Sequence, residues 1–554
     1  MCGNSPSVWE RVRISVREYP RTLTCPFNSG DPVIDERRAL VREHLPADEP
    51  LYLFEPSGKG LTSRLRTMRI CLAWEAMPQK VIPFTDTSLP PQMNYLATAV
   101  YEGPLPVKED TFISLAQATE GPVWAQRELM KEKTPRDIPA LSSWREFMGL
   151  LAPMLVMLGG AVLGGWAGLG TCLLAFSVGM GIPPLLGFTP SPVFVLGLMS
   201  VILCGQWLAI KKQKIFGLSV LESTNFRIAL IFTFVLFALL AFLTLSHTFT
   251  SPNGLGVFGG KAKLLYLAGR IPSDFFTDPA WVTLQPAYPP GFALTTLGCY
   301  GLAGCCGEWL TQLLPCIFSA IICLFICVRF PISAAFWVAV TFLGFQSLWM
   351  SSLYYAEPIM LLLLLIGVDT ILRKSGSVLG WVLVGGCGWM KTEGFLFLPF
   401  LWLALRLTDG KTRAPLHGLA LGLVLPLWWL VWSRLHGATL YDYAPVYLPD
   451  FEQIGAAIVE TLRLGFLEPW RYGFVFPLAC VMPFIPQLRT RPMLAGIAVL
   501  LGYTMTIWWV FGISRAPDFE WHLRSLERLL WAPVILFLFH VMYELFKIEK
   551  QNTC

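Results

Sequence analysis

The sequence predicts a polytopic α-helical membrane protein of about twelve spans, carrying a small N-terminal α/β soluble domain. Three observations support that prediction. First, the 554 residues are 54% hydrophobic and only 14% charged, with 21 Trp, and the mean hydropathy is +0.56, which is too apolar for a water-soluble chain. Second, apolar runs close to the roughly 20 residues that cross a hydrocarbon core recur from about residue 147 onward. Third, the first 140 residues differ in character: they are rich in charge and Pro, and no early apolar run follows a basic region, so no signal peptide is expected.

In residues 1–140, the segments 35–45 and 60–77 read as helices, and Leu51–Phe54, Lys80–Phe84 and Tyr95–Tyr101 as strands. That alternation suits a three-stranded α/β unit. The turn Glu55-Pro-Ser-Gly-Lys-Gly has neither Walker-loop spacing nor a dinucleotide fingerprint, which leaves a docking or regulatory role for the domain. Cys2 has no lipoprotein-type apolar segment before it, so no lipid anchor is expected.

The membrane domain, 145–550, contains apolar segments at 147–167, 170–188, 192–210, 228–247, 309–328, 332–351, 357–372, 395–408, 415–433, 473–488, 493–512 and 528–546. Two shorter runs, 291–306 and 377–389, are too short to cross unbent and read as interfacial or re-entrant helices. Basic residues flank one set of ends: Lys211, Lys212, Lys214 and Arg227; Arg329; Arg373 and Lys374; Arg406, Lys411 and Arg413; Arg489 and Arg491; Lys547 and Lys550. These ends are expected in the cytoplasm, with the loop 248–290, the Tyr354–Glu357 corner and the segments 434–472 and 513–527 outside. Lys131, Lys133, Arg136 and Arg145 also favour the cytoplasm, which requires an even number of crossings before Lys211. The Gly/Pro-rich 170–188 is therefore expected to be re-entrant, with the N-terminal domain cytoplasmic; export of that domain is the alternative.

Composition also excludes several classes. The 14 Cys are scattered through apolar segments without paired CxxC or Cys/His metal spacing, so they behave as small apolar residues. A net charge of +5 with no basic, aromatic-interleaved stripe argues against nucleic-acid binding. The charges that remain between apolar runs carry more information, because a Lys, Arg or Asp at a bilayer centre costs roughly 2.5–3.5 kcal/mol and so usually pairs, sits at an interface or lines a site. Such islands stand at Lys391-Thr-Glu393-Gly394, at Tyr354-Tyr355-Ala356-Glu357, in the loop from Thr248 to Pro290, and from Trp521-His522 to Arg528. Together they point to a polar site at one membrane face.

The order and content of these islands resemble GT-C glycosyltransferases, the polytopic enzymes that include aminoarabinose transferase and protein O-mannosyltransferases. The matching segments are Asn253-Gly-Leu-Gly-Val-Phe-Gly-Gly-Lys261-Ala-Lys, then Gln285-Pro-Ala-Tyr288-Pro-Pro, Tyr355-Ala-Glu357-Pro, Lys391-Thr-Glu393-Gly, and Trp521-His522-Leu-Arg-Ser-Leu-Glu-Arg528-Leu. The resemblance covers roughly residues 145–546 and implies transfer of a sugar from a polyprenyl-phosphate donor to a lipid, glycan or protein acceptor, at the extracytoplasmic face of a bacterial inner or plasma membrane. It assigns phosphate recognition to Arg528, Lys391 and Lys261 or Arg270, because a departing lipid phosphate needs fixed cations. Glu357 and Glu393 would hold those cations or the sugar, and Tyr288, Tyr355 and His522 would position substrate. The resemblance assigns no definite cofactor and is compatible with a divalent cation.

The chain departs from the family pattern at informative places. The family's acceptor-activating Asp corresponds to Asn253, which cannot act as a base, and His-Pro-Asp-Tyr has become Gln285-Pro286-Ala287-Tyr288. Asp274, Asp278 and Glu357 are the replacement carboxylates; a degenerate glycan binder and a shifted register in the Gly-rich loop are the alternatives. A lipid or glycan transporter would instead predict internal repeats with charges at mid-membrane, which the sequence lacks. Each island also has a structural reading: Lys391 with Glu393 as a satisfied interfacial turn, Glu357 as a helix cap, Tyr288-Pro-Pro as a helix start, Trp521 and His522 as an aromatic anchor, and Asp274 and Asp278 as solvated loop charges.

Overall fold

The computed structural model describes five short segments between residues 51 and 126 and most of 143–553, excluding chiefly 211–223, 246–253, 307–310, 331–349, 374–376, 410–414, 439–448 and 514–518. The five N-terminal segments are the strands β1 (Leu51–Phe54), β2 (Val81–Phe84), β3 (Tyr95–Thr98), β4 (Phe112–Ala116) and β5 (Val123–Gln126). They form one sheet in the order β2-β1-β3-β5-β4. β1 pairs in parallel with both β2 and β3, with Leu51 opposite Val81 and Tyr95, while β3–β5 and β4–β5 are antiparallel. The three expected strands are present, and two more extend the sheet by an antiparallel pair. The sequence reading missed β4 and β5 because each is only one strand-length of weak alternation in a charged context. The helices expected at 35–45 and 60–77 lie outside the described residues.

The helical region opens with α1 (Ser143–Gly179), which Gly164 and Gly165 (φ 61°, ψ −151°) break into two arms. Glycine alone adopts the Gly165 conformation without cost. Past the break Gly160 and Gly168 lie backbone to backbone: a Cβ on Gly168 would fall 2.2 Å from the Gly160 carbonyl oxygen. The expected segments 147–167 and 170–188 are thus the two arms of one hairpin, the second completed by α2 (Ile182–Leu186). α3 (Pro192–Ile210) returns along it, with Leu198 against Gly179 and Leu203 against Gly159. Three antiparallel helical passes therefore run between Ser143 and Ile210. Ser143 and Ile210 lie at opposite ends of the bundle, because the glycine turn folds the second arm back along the first.

α4 (Thr224–Leu245) is followed by a π-helical turn, Gly254–Gly260, that runs into α5 (Lys261–Ala268). α6 (Gly291–Ala303) packs across both arms of α1, with Gly149 on the Cys299 carbonyl and Gly298 on Phe176. Next come α7 (Leu314–Arg329), α8 (Glu357–Arg373), α9 (Val378–Met390), α10 (Phe397–Asp409), α11 (Leu416–Leu435), α12 (Phe451–Leu462), the one-turn α13 (Pro469–Tyr472), α14 (Val475–Val481), α15 (Arg491–Gly512), the one-turn α16 (Leu526–Leu529) and α17 (Trp531–Thr553). Among the described residues, seven helical segments are long and apolar enough to cross a membrane: Trp144–Leu186, Pro192–Ala209, Arg227–Leu245, Thr311–Arg329, Leu416–Leu435, Arg491–Gly512 and Leu526–Leu545. That is fewer than the expected twelve. The hairpin merges two segments, 332–351 lies almost wholly outside the described residues, and α8, α10 and α14 are shorter than a straight crossing. α6 and α9 are short, as expected, at 13 residues each.

α8 is buried along almost its whole length and forms the centre of the core. α9 runs antiparallel to it, meeting it at Gly367 and Gly380, and α11 crosses α9 where a Cβ on Gly385 would stand 1.9 Å from the Gly422 carbonyl oxygen. Small residues let these backbones approach closely, as membrane helices require when packing rather than water drives association. The charges then separate by end. At one end Arg329 and Arg373 both donate to Asp369, at 2.7 and 2.8 Å. At the other end, shared with Ser143 and α6, lie Glu357 and Met390.

Candidate functional site

α8 ends at this face with Glu357 in its first turn, where the helix dipole favours a carboxylate. α9 terminates in the same place, since Lys391 leaves helical geometry (φ −155°, ψ 138°) and a tight 3₁₀ turn, Thr392–Leu396, follows. Gly394 permits that turn: a Cβ there would fall 2.3 Å from the Cys387 carbonyl oxygen. The two termini deliver Lys391 Nζ to Glu357 Oε1 at 2.9 Å, with Glu393 Oε1 at 3.6 Å. Lys391 and Glu357 are 2% and 1% exposed, so each depends on its partner for the charge it carries. From α16, Arg528 reaches the same Glu357 oxygen at 3.6 Å and lies 4.8 Å over the Tyr355 ring. Glu357 Oε2 has no hydrogen-bond partner among the described residues.

The long loop before α6 supplies the last member. Tyr288 donates its hydroxyl to Glu393 Oε2 at 2.7 Å. Its backbone is held from below, because Lys261 Nζ donates to the carbonyls of Gln285 (3.2 Å) and Tyr288 (2.8 Å), and Trp429 Nε1 donates to that of Ala287 (3.0 Å). Gln285 adopts a left-handed backbone (φ 45°), unusual for a side chain of its size. Burial lowers the Lys261 ammonium from its ordinary value of 10.5 to about 7. Ser177 ties the hairpin to this region, accepting from Trp389 Nε1 and donating to the Gly291 carbonyl.

The structure therefore brings together Tyr288, Tyr355, Glu357, Lys391, Glu393 and Arg528, drawn from four separate sequence islands. Lys261 sits beneath them, its ammonium donating to the carbonyls of the 285–288 turn. Asp274 is engaged locally, accepting from Trp281 Nε1 at 3.2 Å while its carbonyl accepts from the Thr277 and Asp278 amides. Arg270 is exposed just after the Gly269 cap of α5. Asn253 and His522 lie outside the described residues. Trp429 and Ser177 carry no motif signal, being residues of apolar helices whose role appears only when the helices pack.

Two cations and two carboxylates balance one another, and exposure sorts them. The side chains of Glu393 and Arg528 are 19% and 17% exposed, against 1% for Glu357. Glu393 and Arg528 are thus the more exposed members of the cluster, while Glu357 and Lys391 form its floor. Among the described residues no three His, Cys, Asp or Glu side chains cluster as a metal site. No protein-family model matches this chain, and neither a curated protein nor a solved structure matches it.

Proposed function

We propose that this is a GT-C type membrane glycosyltransferase, moving a sugar from a polyprenyl-phosphate donor to a lipid or glycan acceptor at the outer face of a bacterial inner or plasma membrane. The finer architecture belongs to the same reading: about twelve crossings, counting the shorter helices, and an α/β domain built on the N-terminal sheet. The observation that carries it is the convergence of Tyr288, Tyr355, Glu357, Lys391, Glu393 and Arg528 on one ion-paired cluster at a helix-end face.

In this reading Arg528, the more exposed cation, receives the phosphate, and Lys391 adds positive charge from the floor behind it, so that together they stabilise the charge that grows on the phosphate as the anomeric C–O bond breaks. Glu357 fixes both cations and is too deeply neutralised to act as base. Glu393, more exposed and oriented by Tyr288, takes the proton of the acceptor hydroxyl as its oxygen bonds to the anomeric carbon, and the lipid phosphate leaves. A second reading, a binder of lipid-linked glycan without transfer, is favoured by Ala287 standing where the resembling family has a carboxylate.

The test is transfer from radiolabelled polyprenyl-phosphate sugars to membrane extract. Wild type should transfer label, and Glu393→Gln and Arg528→Ala should each lose about 100-fold or more. Transfer unchanged in both variants would overturn the roles given to Glu393 and Arg528, absence of transfer by wild type would overturn the enzyme reading, and specific donor binding without any transfer would establish the binder.

A further inference from the structure

Arg528 is carried by α16, a helix of four residues that cannot hold its own geometry. The residue before it is gripped twice from α13. Tyr472, buried, donates its hydroxyl to the Glu527 carbonyl at 2.8 Å, and Arg471 Nη1 meets Glu527 Oε2 at 2.8 Å. Arg471 also pairs with Glu468, which pairs with Arg463, which is chelated by Glu460 through Nε (2.7 Å) and Nη2 (2.6 Å). A chain of alternating charge thus runs from α12 to the neighbour of Arg528. The backbone bends to build it: residues 463–467 form a π-helical turn, and Phe474, two residues past Tyr472, adopts a left-handed conformation (φ 63°). Local backbone strain of this kind persists where the surrounding structure over-determines it, and it concentrates at functional sites.

We propose that Tyr472 and Arg471 are positioning residues that lock Glu527, and through it aim the Arg528 guanidinium at a lipid phosphate in the cluster. The proposal rests on the phosphate-binding reading of that cluster. It predicts that the latch affects recognition of the phosphate and leaves recognition of the prenyl chain alone.

The test is binding of a polyprenyl phosphate and of the matching uncharged polyprenol to the full-length detergent-solubilised protein, followed by tryptophan fluorescence. Wild type should prefer the phosphate, and Arg528→Ala should abolish that preference. Tyr472→Phe and Glu527→Gln should each weaken phosphate binding about three- to tenfold, the scale of one hydrogen bond, while polyprenol binding stays constant. In the Arg528→Ala background Tyr472→Phe should have no further effect on phosphate binding. If Arg528→Ala abolishes the preference while Tyr472→Phe and Glu527→Gln match wild type, or if they weaken both ligands equally, the latch is overturned and the cluster reading stands. If wild type itself does not distinguish phosphate from alcohol, the reading of the cluster fails and the latch falls with it.

Discussion

Replacing Glu357 by Gln removes one charge from the cluster while keeping the side chain's size. The carboxylate contacts Lys391 at 2.9 Å and Arg528 at 3.6 Å, gross attractions of about 6 and about 5 kcal/mol at an effective dielectric constant of about 20. Most of this offsets the desolvation of three buried or half-buried ions, so the measurable loss is the smaller figure for stranding a buried charge, about 3–5 kcal/mol. Glu393, 3.6 Å from Lys391, remains as a partial partner and places the expectation near about 3 kcal/mol. Equilibrium unfolding in SDS–detergent mixed micelles, read by tryptophan fluorescence, measures it. Adding Lys391→Met to Glu357→Gln should restore part of the stability, since the stranded ammonium is gone. A loss below about 1 kcal/mol, the scale of an exposed pair, would refute the claim that these charges are desolvated.

Further expectations follow from other parts of the molecule. Lys261 is lowered from 10.5 to about 7 by burial, so above pH 7 the unfolded chain binds the proton more strongly than the folded one and stability rises from about pH 7 to about pH 10.5. Lys261→Met should flatten that rise in a pH series of unfolding curves; an unchanged slope would contradict the assignment. Gly385→Ala drives a methyl group into the Gly422 backbone, 1.9 Å away, and should cost about 1–3 kcal/mol or more, with Gly455→Ala, where a Cβ meets nothing within 4 Å, as the tolerated control. In a cysteine-free background, Ser143→Cys and Ser273→Cys should react with a membrane-impermeant maleimide from the same side and Arg491→Cys from the other. Labelling of Ser143→Cys together with Arg491→Cys would contradict the odd number of passes.

The helical membrane character was legible without any structure, because a run of apolar side chains long enough to cross a bilayer is a property of composition over a short window. The same holds for the islands: Lys391, Glu393, Glu357 and Arg528 stand out because charge between apolar runs needs a physical reason wherever it occurs. The strands Leu51–Phe54, Val81–Phe84 and Tyr95–Thr98 were likewise readable as local apolar runs between turn residues. β4 and β5 were not, since a short strand in a charged region gains its stability from pairing, which is non-local.

What only the tertiary structure decided is which groups meet, and on which side. Gly164 and Gly165 lie within the apolar segment 147–167 and carry no signal there; the hairpin turn they make is visible only through the Gly160–Gly168 approach across it. Lys261 looks like a ligand-binding cation in its motif, yet packing places it under the 285–288 turn with two carbonyls as partners. Glu357 stands in sequence as a lone carboxylate, and only packing brings Lys391 and Arg528 onto it and leaves Glu393 the more exposed of the two carboxylates. The sequence alone determined that charged residues had to be accommodated within an apolar chain; it could not determine their partners, because ion pairing depends on distances of a few ångströms between helix ends far apart in the chain, and those are set by how the helices pack.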